Sequence, residues 1–91
     1  MQVRWTSRAY DALTRLYEFL RPVNRQAAAR AVRSLTATAL RLVEHPRIGE
    51  RLEEFDPLEV RRVVVGRYAM RYEIRQPSIY VLRIWHTRED R

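Results

Sequence analysis

Residues 61–88 read RRVVVGRYAMRYEIRQPSIYVLRIWHTR, three short runs rich in Val, Ile, Tyr and Trp. Gly66-Arg67 separates the first two and Gln76-Pro77-Ser78 the last two. β-Branched and aromatic side chains suit a pleated surface and Gly and Pro suit turns, so the stretch predicts a three-stranded antiparallel meander at about 60–65, 68–75 and 79–86. In the middle run Tyr68, Met70, Tyr72 and Ile74 fall on one face, and Ala69, Arg71 and Glu73 on the other. In the last run Tyr80, Leu82 and Ile84 oppose Ile79, Val81, Arg83 and Trp85. One face of such a sheet can be core while the other presents guanidinium groups.

Upstream, residues 1–5 alternate apolar Val3 and Trp5 with Gln2 and Arg4, a short strand pattern. Thr6-Ser7 offers a helix cap, and Ala9, Leu13, Leu16 and Leu20 keep a helical rhythm over residues 7 to 20. Pro22 disfavours helical geometry at Arg21, and Asn24 can cap a second helix that begins near Arg25. There Ala28, Val32, Leu35, Ala39 and Leu42 form the clearest stripe in the chain, ended by His45-Pro46, with a turn at Gly49. The frequent alanines allow the two helices to approach closely. Segment 50–60, ERLEEFDPLEV, is open: Leu52, Phe55, Leu58 and Val60 can pin it to a core, whereas Asp56-Pro57 argues for a turn.

The order is strand, helix, helix, three strands. It predicts one α+β domain over residues 1–91, with an antiparallel two-helix hairpin on one face of a single mixed or antiparallel sheet, and the first strand joined to that sheet by the helical crossover. Residues 87–91 are expected to be a polar end. The apolar share of 46% supports folding rather than disorder.

Cysteine is absent, so disulfides, thiol chemistry and cysteine-based metal sites are excluded. The first residues are too charged for a signal peptide and no long apolar run exists, which makes a cytoplasmic location the expectation. All 18 basic residues are Arg, and the formal charge is +7. Anionic partners, nucleic acid or acidic protein, fit that balance. The charge is uneven: residues 49–60 hold one Arg against five acids, between two strongly basic flanks.

Two glycines rule out a nucleotide-binding glycine loop. The histidines, His45 and His86, lie at element ends without ligand spacing, and no serine has a visible base partner. No metal, cofactor or small-molecule ligand is implied. The remaining constellation is Arg61, Arg62, Arg71, Arg83, His86 and Arg88. Arg71 and Arg83 fall on the helix-free face, and strand alternation places one of Arg61 or Arg62 with them. Such a cluster can grip phosphates, or stabilise charge on a transferring phosphoryl group while His86 moves a proton. Its plain structural alternative is an arginine face that solvates the sheet and pairs with Glu59, Glu73 or an acidic partner. Tyr68, Tyr72 and Tyr80 are expected to pack in the core, while Trp85 and Trp5 are candidates for an aromatic contact surface.

The ordered set VRWTSRAYDAL (3–13), the helical hairpin, HPRIGERL (45–52), VRRVVVGRYAMRYEI (60–74) and VLRIWHTRED (81–90) resembles the RelE/ParE toxins of bacterial type II toxin-antitoxin systems. The closing strand with His86-Thr87-Arg88 is most similar to the ParE-like side. The resemblance implies a toxin neutralised by a cognate antitoxin protein, in a complex that binds promoter DNA through the antitoxin. It also implies one of two targets. A ParE-like toxin inhibits DNA gyrase by binding, with Arg71, Arg83, Trp85, His86 and Arg88 as the expected contact residues. A RelE-like mRNA interferase is a ribosome-dependent endoribonuclease, in which Arg61, Arg62, Arg71, Arg83 and His86 would be the catalytic set. This chain has no Lys before its sheet and no Tyr in its tail, where RelE-like cutters commonly carry them, so gyrase leads. A basic nucleic-acid-binding module without toxicity is the third reading.

Overall fold

Two side-chain caps start the helices. The Thr6 hydroxyl accepts the Ala9 amide at 3.1 Å and opens α1 (Ser7–Leu20), and the Asn24 side chain accepts the Ala27 amide at 3.0 Å and opens α2 (Arg25–Glu44). The computed structural model describes residues 1–89. Strands run β1 (Gln2–Trp5), β2 (Glu50–Arg51), β3 (Glu59–Val65), β4 (Tyr68–Arg75) and β5 (Ser78–His86). They form one sheet in the order β1-β5-β4-β3-β2. The α1–α2 hairpin carries the chain across, so β1 pairs parallel with β5, whereas the other neighbours are antiparallel.

α2 turns Ala28, Leu35, Ala39 and Leu42 inward, the stripe set by its apolar spacing. Of these, Leu35, Ala39 and Leu42 cluster with Met70, Tyr72 and Ile74 of β4 and Ile79, Val81 and Ile84 of β5, with Ala9 of α1 closing the core. Val3 and Trp5 pack against the same cluster because β1 sits beside β5 in the register Val3↔Ile79 and Trp5↔Val81. Trp5 is therefore a core-side residue rather than part of a contact surface.

The open segment 50–60 becomes the two-residue β2, a 3-10 turn at Glu53–Phe55 and a turn at Asp56-Pro57, which adds a fifth strand to the four expected. Gly66, at φ 61°, supplies the positive dihedral that the two-residue β3–β4 turn needs. The expected polar end over residues 87–91 falls partly on Asp90 and Arg91, which lie outside the described residues.

One irregularity decides the faces of β5. Arg71 pairs with Arg83, but the next residue, Tyr72, pairs with Val81, so Leu82 is an extra residue. Such a bulge resets the inward-outward alternation. Upstream of it Ile79 and Val81 face the helices; downstream, Ile84 does, and Arg83 and Trp85 face away. A strict alternation would have put Ile79, Val81, Arg83 and Trp85 on one side.

Candidate functional site

The helix-free face of the sheet carries a transverse row of three arginines. Arg62 pairs with Arg71 across β3 and β4, and Arg71 pairs with Arg83 across β4 and β5. The Arg71 guanidinium lies between two rings, 5.0 Å from the Phe55 centroid and 5.1 Å from that of Trp85. Stacking of this kind holds a planar cation in one orientation. Its Nε is buried with no hydrogen-bond partner. At the β3 end the Glu50 carboxylate accepts a bond from Arg62. Trp85 is only 7% exposed, so it serves the face by supporting Arg71.

Tyr80 also points to this side, beside Arg4 of β1, contrary to its expected place in the core. The Arg75 guanidinium stands 4.6 Å from its ring and its hydrogen bond to the phenol lowers the pKa of Tyr80.

Arg61 faces the other way, opposite Tyr72. It donates to the Gly49 carbonyl at 2.7 Å and to Glu59 at 2.9 Å, while Arg47 grips the same carboxylate with two bonds. Burial alone would raise the pKa of Glu59; the bonds from Arg47 and Arg61 outweigh it and leave the group below its ordinary value. Tyr72 completes this clamp, its hydroxyl donating to the Pro46 carbonyl at 2.7 Å and accepting the Gly49 amide at 3.0 Å. A Cβ at Gly49 would stand 2.7 Å from both the Arg62 carbonyl oxygen and the Tyr72 hydroxyl. HPRIGERL is thus a loop pinned to the sheet, and Arg61 is one of its pins.

His86 also lies apart from the arginine row. It pairs with Tyr68, a residue packed against the core, and the two rings meet edge-on at 5.3 Å. Its Nδ1 accepts the Arg88 amide at 3.1 Å. Of the seven expected site residues, Arg62, Arg71, Arg83 and Trp85 are brought together; Arg61, His86 and Arg88 are not. Phe55 was missed because it sits in the segment whose structure the sequence leaves open.

His86 instead borders a groove of about 1060 Å³ between the helical hairpin and the β3–β4 turn. Ala12, Leu16, Phe19, Leu20, Ala27, Ala31 and Val65 give it an apolar lining, and Arg15, Arg30 and Arg67 stand around it. Phe19 is 79% exposed at the edge of this apolar lining.

Because the chain has no Lys, the phenols are the side chains that titrate near pH 10. Burial raises the pKa of both Tyr68 and Tyr72, at Tyr72 partly offset by the Gly49 amide. A phenol whose folded pKa exceeds its unfolded value contributes stability that is complete below about pH 10 and lost as pH rises through the folded pKa. Phenolate absorbance is therefore expected to develop with Tyr80 early and Tyr68 and Tyr72 late, and the melting temperature is expected to fall above about pH 10. A melting temperature that stays level there, or a single uniform phenol titration in the folded protein, would contradict the assignment.

Among the described residues no group of three or more His, Asp or Glu is placed to hold a metal ion, and no helix is long and apolar enough to cross a membrane.

A family model described as the ParE toxin of the type II toxin-antitoxin system, parDE, matches residues 3–91. No curated protein gives a significant match. Among solved structures, the chromosomal ParDE TA system from P. aeruginosa is similar, with a TM-score of 0.78 at 20% identity, covering 94% of this chain and 95% of that one. At that identity the likeness speaks for the fold.

Proposed function

Because the chain belongs to the ParE toxin family of type II toxin-antitoxin systems, we propose that it inhibits DNA gyrase in the cytoplasm by binding, through the face that bears Arg62, Arg71 and Arg83. The observation that carries binding over cleavage is the separation of His86 from that row. A general acid or base must come within hydrogen-bond reach of the proton it moves, and His86 stands on the opposite side of the sheet beside Tyr68. Arg61, which a cutting mechanism would use to hold phosphate, is already engaged with Glu59 and the Gly49 carbonyl. Arginine itself stays protonated and cannot take a proton in turn.

The antitoxin is the proposed occupant of the groove beneath Phe19. An apolar floor flanked by Arg15, Arg30 and Arg67 fits an amphipathic helix with acidic flanks, and the net charge of +7 would steer such a segment in. On this reading toxin target and antitoxin use different sides of the sheet, and His86 and Arg88 belong to the antitoxin side.

The test is a supercoiling assay with purified gyrase, run beside ribosome-dependent message cleavage. Arg83→Ala is expected to weaken gyrase inhibition at least about tenfold, the loss typical of a charged contact at an interface, while His86→Ala inhibits like the parent. Message cleavage that disappears with His86→Ala, with gyrase untouched by the parent protein, would replace this reading with the endoribonuclease.

A further inference from the structure

Away from the arginine row, the helix-free face carries a second polar group near the β4–β5 turn. Tyr80 stands at its centre, opposite Arg4 of β1 on one side and Glu73 of β4 on the other. Arg75, which pairs with Ser78 in the next rung, turns its guanidinium over the Tyr80 ring. The hydrogen bond from Arg75 to the phenol, a further one with Ser78 and the charge of Arg4 all favour the phenolate, against the cost of burial. Arg4 and Arg75 are both exposed and are held only by neutral groups: Arg4 donates to the Gln2 amide oxygen at 3.2 Å, and Arg75 to the phenol. Among the described residues neither is ion-paired, although Glu73 lies two residues from Arg75 on the same face. A guanidinium has five N–H donors, so most of the donors here remain to meet an anion.

We propose that Arg4, Arg75 and Tyr80 form a subsite for a single carboxylate of an acidic protein partner, an Asp or Glu side chain of gyrase. The identity of the partner rests on the reading that this face of the sheet meets gyrase; the subsite stands on its own geometry. The two guanidinium groups flank the phenol, so one oxyanion can take charge-assisted N–H bonds from both. The Tyr80 oxygen already accepts from Arg75, which leaves its own proton to be donated outward. Glu73 limits the occupant. It is only 8% exposed and lies on β4 between Arg71 and Arg75. A nucleic-acid backbone, with a charge at every step, would have to cross that carboxylate to reach both groups of arginines, whereas a lone carboxylate on the Arg4 side does not.

The Tyr80 phenol reports its own occupancy, because an anion seated against it disfavours the phenolate. Phenolate absorbance of the full-length protein is followed against pH with and without an octaglutamate peptide. The early phase, that of Tyr80, is expected to move to higher pH with the peptide while the late phases of Tyr68 and Tyr72 stay in place. Tyr80→Phe identifies the early phase by deleting it. Arg4→Gln is expected to raise the peptide concentration for half the movement about tenfold, the loss typical of a charged contact. Arg33→Gln, an equal loss of charge on the exposed side of α2, is expected to change it little. Arg75→Gln should move the Tyr80 phase up before any peptide is added, since it removes the largest cause of the lowered value. In the supercoiling assay, Arg4→Gln and Arg75→Gln are each expected to inhibit gyrase about tenfold more weakly than the parent.

A Tyr80 phase that ignores the peptide, or equal losses in Arg4→Gln and Arg33→Gln, would overturn the subsite. So would a larger movement with a short DNA duplex at matched charge, which would make the ligand a nucleic acid. A parent protein that binds the peptide through Arg4 but leaves gyrase untouched would keep the subsite and remove gyrase as its partner. Parent-like gyrase inhibition by both arginine variants would keep the gyrase reading and overturn the proposal, since the carboxylate contact would then play no part in it.

Discussion

Tyr72→Ala is expected to destabilise the protein by about 3–5 kcal/mol, the usual cost of emptying a buried aromatic site. A domain of this size has roughly 5–14 kcal/mol in total, so the melting temperature should drop by about 20 °C. The effect is large because two structures depend on one side chain. The ring is fully buried between α2 and the sheet, beside Leu35, Leu42 and Val81. Its hydroxyl holds the loop after α2 through the Pro46 carbonyl and the Gly49 amide. Tyr72→Phe separates these roles. It keeps the ring, leaves both loop groups without their partner, and is expected to cost about 1–3 kcal/mol. The phenylalanine protein should also lose part of the stability decline above pH 10. Equal melting temperatures for the parent and Tyr72→Phe would mean that water replaces the hydroxyl at no cost, and the clamp would then rest on Arg47, Arg61 and Glu59.

The arginine row shows where a sequence runs short of a site. Alternation places Arg71 and Arg83 outward, but the second assignment is right only because Leu82 is extra. Nothing local marks that bulge. It has no glycine, and it exists because Ile79, Val81 and Ile84 all gain by facing the helices, which a strict period of two forbids. Between Arg61 and Arg62 the strand rule says only that one of them faces outward; the pairing of Arg61 with Tyr72 decides it. Val3 and Trp5 share a face by the same rule, yet that it is the core face follows from their parallel register with β5.

His86 teaches the opposite lesson. It is the residue after Trp85, so alternation already sets it on the side away from Arg83, and the strand obeys that rule to its last residue. Grouping it with the arginines by chemistry overrode the geometry. The helices were the most legible part, since caps at Thr6 and Asn24 and the apolar stripes are written within a few residues of where they act. β2 was the least legible. Its two residues are both charged, and it is a strand only because Arg61 and Arg62 lie beside it to pair with. Phe55 follows from it, because the turn that places this ring over Arg71 starts where β2 ends.

Phe19→Glu is expected to weaken antitoxin binding about 100-fold or more, with little change in melting temperature. The two halves of that expectation have separate causes. Phe19 is 79% exposed on α1, so the isolated fold gains little from it and loses little without it. In the complex an aromatic side chain at a groove is the type of residue that carries about 2–4 kcal/mol of binding. The new carboxylate would in addition face a partner recruited by the positive charge of Arg15, Arg30 and Arg67. Phe19→Ala isolates the first contribution, and its affinity should fall between those of the parent and Phe19→Glu. Titration calorimetry against the cognate antitoxin measures the series, and a supercoiling assay adds the functional half. If the toxin acts on gyrase as proposed, Phe19→Glu toxin should still inhibit it, since the arginine row lies on the other face of the sheet, but antitoxin should no longer relieve that inhibition. An antitoxin that binds and relieves the Phe19→Glu toxin as well as the parent docks elsewhere.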